Sequence, residues 1–80
     1  MSQIKVLLVD DEPDFMEPLT NRLTLRKLDV LNAGSGREAL ALLERQAVDV
    51  VVLDVKMPGM SGLEVIRELK KRHPLVEVIM

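Results

Sequence analysis

Short apolar runs alternate along this chain with segments whose apolar residues recur at helical spacing. The runs at 4–9 and 50–53 are almost continuously apolar and predict strands covered by helices on both faces. The shorter, more polar run at 30–33 predicts a strand at or near a sheet edge, and residues 76–80 begin a fourth strand. This alternation predicts an open parallel α/β sheet built from strand–helix–strand units.

The segments between the strands each carry one apolar stripe, which predicts three helices. The stripes are Met16, Leu19 and Leu23; Ala39, Leu40 and Leu43; and Leu63, Ile66 and Leu69. Two helices begin with a capping-box pattern, in which Ser35 pairs with Glu38 and Ser61 with Glu64. Pro18 fits the first helix badly because proline lacks the amide donor, so we expect either a kink or a helix that begins later than Pro13.

Composition limits the classes of function. With 80 residues the chain has room for one domain, and without cysteine it has neither disulfides nor thiolate metal sites. The apolar runs fall far short of the roughly 18 residues that span a bilayer, so we expect a cytoplasmic protein that does not bind membranes. A net charge of −2 and a single aromatic residue provide no surface for direct nucleic acid binding.

Three carboxylates follow the ends of two predicted strands. Asp10 and Asp11 come directly after the first strand and Asp54 after the third. Ligands of such sheets bind beyond the carboxyl ends of the strands, so these side chains should converge. Any one of them could simply be a solvated turn residue. Two like charges about 4 Å apart repel by about 4 kcal/mol at a dielectric of about 20, so the three together require a cation or protonation. Oxygen ligands favour Mg²⁺, and Mg²⁺ beside an aspartate nucleophile points to phosphoryl chemistry.

At these positions the sequence resembles a known family. The stretch VLLVDDEP at 6–13, with VLDVKMPGMSG at 52–62, resembles the receiver domains of bacterial two-component response regulators. The resemblance implies a flavodoxin-like fold with strand order 2-1-3-4-5 and phosphotransfer from a sensor histidine kinase or a phosphotransfer protein. It also implies that Asp54 is the phosphoacceptor, that Asp11 binds Mg²⁺ directly, that Asp10 holds it through water, and that the Lys56 carbonyl completes the protein ligands.

The resemblance extends to Met80, inside the fourth strand, so residues 1–80 are expected to form an incomplete receiver domain with about four strands and three helices. The resemblance implies that the family's threonine or serine after the fourth strand and its lysine after the fifth would lie beyond Met80, so neither is expected in residues 1–80. A sheet with part of its cover missing is expected to self-associate.

Two other functions remain as alternatives. A phosphatase of the haloacid dehalogenase type would need an aspartate two residues after its nucleophile, but Lys56 is two residues after Asp54. A turnover enzyme is therefore not expected. An inert or self-associating receiver fragment that acts only as a binding or assembly module is the second alternative.

Overall fold

The computed structural model describes residues 3–53 and 62–79. In these residues, strands and helices alternate along the chain. They are β1 (Lys5–Val9), α1 (Pro13–Leu25), β2 (Asp29–Ala33), α2 (Gly36–Arg45), β3 (Val50–Leu53), α3 (Gly62–Arg72) and β4 (Glu77–Ile79). The strands pair in parallel in the order β2-β1-β3-β4. The parallel α/β sheet is confirmed, its order agrees with the first four strands of the family, and the polar strand β2 lies at an edge. No helix in the described ranges is long and apolar enough to cross a membrane.

One face of the sheet forms the main core with α2 and α3. Alternate strand residues point to this face, and they pack against the apolar sides of the two helices. The fully or almost fully buried members of this core are Leu7, Val9, Ala33, Ala39, Leu43, Val48, Val51, Leu53, Val65 and Leu69. An exposed ion pair between Arg72 and Glu44, 3.2 Å long, links the ends of the two helices and adds little stability because water solvates both groups.

The apolar stripe of α3 differs from the prediction. Leu63 was expected in the stripe, but 67% of its surface is exposed, whereas Val65 and Leu69 are completely buried. Ile66 packs at the margin of the core, as expected. Val65 and Leu69 are four residues apart and therefore lie on one side of the helix, while Leu63, close to the helix start, lies on another.

The opposite face of the sheet carries α1. The Asn32 amide nitrogen donates a hydrogen bond to the Thr20 hydroxyl at 3.0 Å, which places α1 over β2. Farther along the same face, Val50 and Val52 are half-buried, and Ile79 on β4 is 54% exposed. The described helices therefore cover the β2 side of this face and leave its β3–β4 side open, as expected of a sheet with part of its cover missing.

Helix α1 begins at Pro13 despite the proline inside it. The expectation of a later start is therefore wrong, while the expectation of a kink stays a prediction. Pro18 is exposed, so water can hydrate the Asp14 carbonyl that lacks its helical donor. The helix ends where Lys27 adopts a positive φ of 66° and its amide donates to the Thr24 carbonyl at 2.9 Å.

The complete burial of Leu69 in α3 leads to a stability prediction. Replacing Leu69 by alanine should lower the free energy of unfolding by about 2–5 kcal/mol, because it removes buried contacts and leaves a cavity. Leu75→Ala is the matched control: Leu75 is 96% exposed, and its truncation should change stability by less than about 0.5 kcal/mol. Urea denaturation of both variants at the same low protein concentration measures the difference, and equal midpoints would contradict the packing described for α3.

Candidate functional site

The candidate site lies at the carboxyl edge of the sheet. Val9 and Leu53, the last residues of β1 and β3, are register partners, so the two strands end at the same level. The Asp10 amide nitrogen donates to the Ala33 carbonyl at 3.1 Å, which extends the contact between β1 and β2 beyond the last strand residue. The edge from which the chain continues to Asp10 is therefore also the edge at which β3 ends, one residue before Asp54.

Asp10 is the one buried charged residue in the described part of the chain, with 8% of its surface exposed. Its Oδ1 accepts a hydrogen bond from the Glu12 amide nitrogen at 3.0 Å, which closes a tight turn into α1. Asp10 therefore serves a turn, which agrees in part with the alternative that each carboxylate is simply a solvated turn residue. Asp10 is nonetheless buried as a residue, and burial of a carboxylate favours a compensating partner.

Asp11 is exposed next to this buried carboxylate. No ion pair within residues 3–53 and 62–79 involves Asp10 or Asp11. The same ranges contain no group of three or more acidic or histidine side chains that could hold a metal ion. The other two expected ligands, Asp54 and Lys56, lie outside the described residues. Of the four sequence-predicted site residues, the structure therefore describes Asp10 and Asp11, which are consecutive in the sequence, and the convergence with Asp54 stays a prediction.

The loop from β2 to α2 borders this site, which the sequence alone does not indicate. The Ser35 hydroxyl accepts a hydrogen bond from the Glu38 amide nitrogen at 3.1 Å, so this predicted helix cap is confirmed. Oε2 of Glu38 accepts from the Gly34 amide nitrogen at 3.0 Å, one residue earlier than in the usual capping box. The predicted cap at Ser61 lies outside the described residues.

Comparison with known proteins identifies the class to which this fold and acidic edge belong. The family model described as "Response regulator receiver domain" matches residues 6–80. The chain is 42% identical to the probable transcriptional regulatory protein TcrX of Mycobacterium tuberculosis over 96% of its own length and 33% of that protein. It therefore spans about a third of the length of this curated relative.

Solved structures agree with the family model. The response regulator TrrA of Thermotoga maritima, crystallised in complex with Mg²⁺–BeF, is 37% identical and matches with a TM-score of 0.92 over 98% of this chain and 68% of that one. TrrA in complex with the histidine kinase ThkA matches with a TM-score of 0.89 and 37% identity over 95% of this chain and 66% of that one. The chain belongs to the response regulator receiver domain family, and its fold is the flavodoxin-like fold of that family.

Proposed function

We propose that this chain is a phosphoacceptor module of a two-component system, which takes a phosphoryl group onto Asp54 in the presence of Mg²⁺. The observation that carries the proposal is that β1 and β3 end at the same level of the sheet, with the buried residue Asp10 directly after Val9. Parallel strands that end together bring the residues that follow them to one edge, where a metal ion can compensate clustered negative charge.

The donor set fits a hard divalent cation. In this proposal Asp11, Asp54 and the Lys56 carbonyl bind Mg²⁺ directly, and Asp10 holds it through water. The hydrogen bond from Glu12 to Oδ1 leaves Oδ2 as the Asp10 oxygen with greater freedom to accept from a water molecule. All of these groups are oxygen ligands, which Mg²⁺ prefers. When bound, the ion neutralises charge on the phosphoryl group during transfer.

The reaction follows from the nucleophile. A carboxylate oxygen of Asp54 attacks phosphorus, the bond between phosphorus and the donor nitrogen or oxygen breaks, and an acyl phosphate forms. We propose a sensor histidine kinase or a phosphotransfer protein as the donor. The crystal structure of TrrA with ThkA supports a kinase as the partner, because TrrA shares this chain's fold and 37% of its sequence.

The proposed activity is stoichiometric phosphorylation, not turnover of small phosphate esters. Lys56 stands where phosphatases of the haloacid dehalogenase type need an aspartate as acid and base. We propose a cytoplasmic location, in agreement with the absence of cysteine from the sequence. We also propose that residues 1–80 represent the first part of a receiver domain, which is supported by their coverage of 68% of the TrrA chain.

Mg²⁺ binding tests this proposal. Asp11→Asn should weaken the affinity for Mg²⁺ at least about tenfold, because it replaces a charged ligand by a neutral one. Asp14→Asn is the matched control, since Asp14 is exposed in the first turn of α1 and has no proposed role in metal binding. Isothermal titration calorimetry of the three proteins, each first shown to be folded by circular dichroism, measures the affinities. Equal affinity of Asp11→Asn and the wild type would overturn the assignment.

A further inference from the structure

Hydrogen bonds connect helix α2 with the strand end at Asp10 through a single peptide group. The Gly34 N–H donates to Oε2 of Glu38 at 3.0 Å, and the Ala33 carbonyl accepts from the Asp10 N–H at 3.1 Å. This carbonyl and the Gly34 N–H belong to the same peptide group, which is planar because its C–N bond has partial double-bond character. Glu38 and Asp10 therefore hold opposite sides of one rigid unit.

The connection continues to helix α1. Oδ1 of Asp10 accepts from the Glu12 N–H at 3.0 Å, so the Asp10 backbone is linked to β2 and its side chain to the start of α1. A rotation of the peptide between Ala33 and Gly34 would weaken the bond to the Asp10 amide. The loss would allow the corner formed by Asp10 and Asp11 to move relative to β2.

Glu38 is suited to hold this peptide. Its amide nitrogen is fixed by the Ser35 hydroxyl, which anchors the first turn of α2. Its bond to Gly34 spans four residues, so closing the loop costs little chain entropy. The acceptor is a side-chain oxygen, and a hydrogen bond accepted from the N–H of a peptide polarises that peptide toward a stronger bond at its carbonyl.

We propose that Glu38 is a positioning residue for the metal-binding corner of Asp10 and Asp11. Glu38 acts through the peptide between Ala33 and Gly34 and does not bind the metal itself. The proposal rests on the proposed function for its effect on Mg²⁺, but the hydrogen-bonded connection can be tested without metal. Removing groups that orient metal ligands typically costs about 10- to 100-fold in affinity, and for this more distant group we expect a loss of about three- to tenfold.

Three variants of the 80-residue chain separate positioning from its alternatives. Glu38→Ala removes the acceptor and should weaken Mg²⁺ binding about three- to tenfold. Glu38→Gln removes the charge but keeps an acceptor oxygen, and Ser35→Ala removes the helix cap but keeps the Glu38 carboxylate. Both should bind Mg²⁺ within about twofold of the wild type. If Glu38→Gln loses as much affinity as Glu38→Ala, the effect is one of charge. If Ser35→Ala loses as much, the effect is fraying of α2. Either result overturns the proposal.

Amide spectra without metal distinguish a failure of this proposal from a failure of the proposed function. Glu38→Ala should shift the NMR amide signals of Asp10 and Glu12 and speed hydrogen exchange at Asp10, while Glu38→Gln should restore both. Unchanged Asp10 and Glu12 signals in Glu38→Ala would overturn the positioning role, even where the wild type binds Mg²⁺. If Glu38→Ala shifts these signals but the wild type binds no Mg²⁺, the hydrogen-bonded connection is present. That result would overturn the proposed function and, with it, the role of Glu38 in metal binding.

Discussion

Asp54→Asn should abolish Mg²⁺-dependent phosphorylation of this chain. The wild type, incubated with Mg²⁺ and a histidine kinase or a small phosphodonor such as acetyl phosphate, should acquire label that hydroxylamine releases, because an acyl phosphate is attacked by strong nucleophiles. The asparagine amide is not a nucleophile under these conditions, so labelling should fall to background. Mass spectrometry and gel mobility of the phosphorylated form measure the loss.

Asp49→Asn is the matched control for this experiment. Asp49 precedes β3, whereas Asp54 follows it, and Oδ2 of Asp49 accepts from the Lys5 amide nitrogen at 2.9 Å at the far end of the sheet. The same chemical change at this position should leave labelling intact. Label that persists in Asp54→Asn, or label that hydroxylamine does not release, would argue against an acyl phosphate at Asp54.

The chain should self-associate at micromolar concentration. Val52 and Ile79 are register partners on the open β3–β4 side of the sheet, and neither is buried. In the part of the chain that the structure describes, the outer edge of β4 has no neighbouring strand. Apolar surface gains about 25 cal/mol for each Å² removed from water, so a second copy that covers this side is stabilising. Unpaired strand edges add backbone donors and acceptors for such a contact.

A charge on the open side should reverse this association. Ile79→Lys should raise the dissociation constant at least about tenfold, because burying an ammonium group opposes the contact. Leu75→Lys is the control, since Leu75 is 96% exposed in the turn before β4 and lies outside the sheet. Light scattering over a concentration series measures the association. A monomeric wild type with cooperative unfolding and strong amide protection in β4 would contradict the prediction.

Features of this fold could be predicted from the sequence where the residues that determine them lie close together in the chain. Parallel strands were predictable because their β-branched, almost continuously apolar runs differ from helical spacing in residues 4–9 and 50–53. The cap at Ser35 was predictable because both partners lie within one helical turn. In α3, by contrast, the sequence offers Leu63 and Val65 as equally apolar residues, and only packing against α2 and the sheet leaves the first exposed and buries the second.

For the candidate site, too, some features follow from the sequence and others only from the tertiary structure. The sequence by itself determined the residue types at the strand ends, Asp10, Asp11 and Asp54, and the resemblance gave each an expected role. Only the tertiary structure decided that Asp10 is buried while Asp11 is exposed, because burial depends on β2 lying next to β1. It also decided that the Glu38 carboxylate supports the peptide that contacts Asp10. This connection joins residues more than 20 positions apart, and no local pattern in the sequence records a contact that arises only when parallel strands end at a common edge.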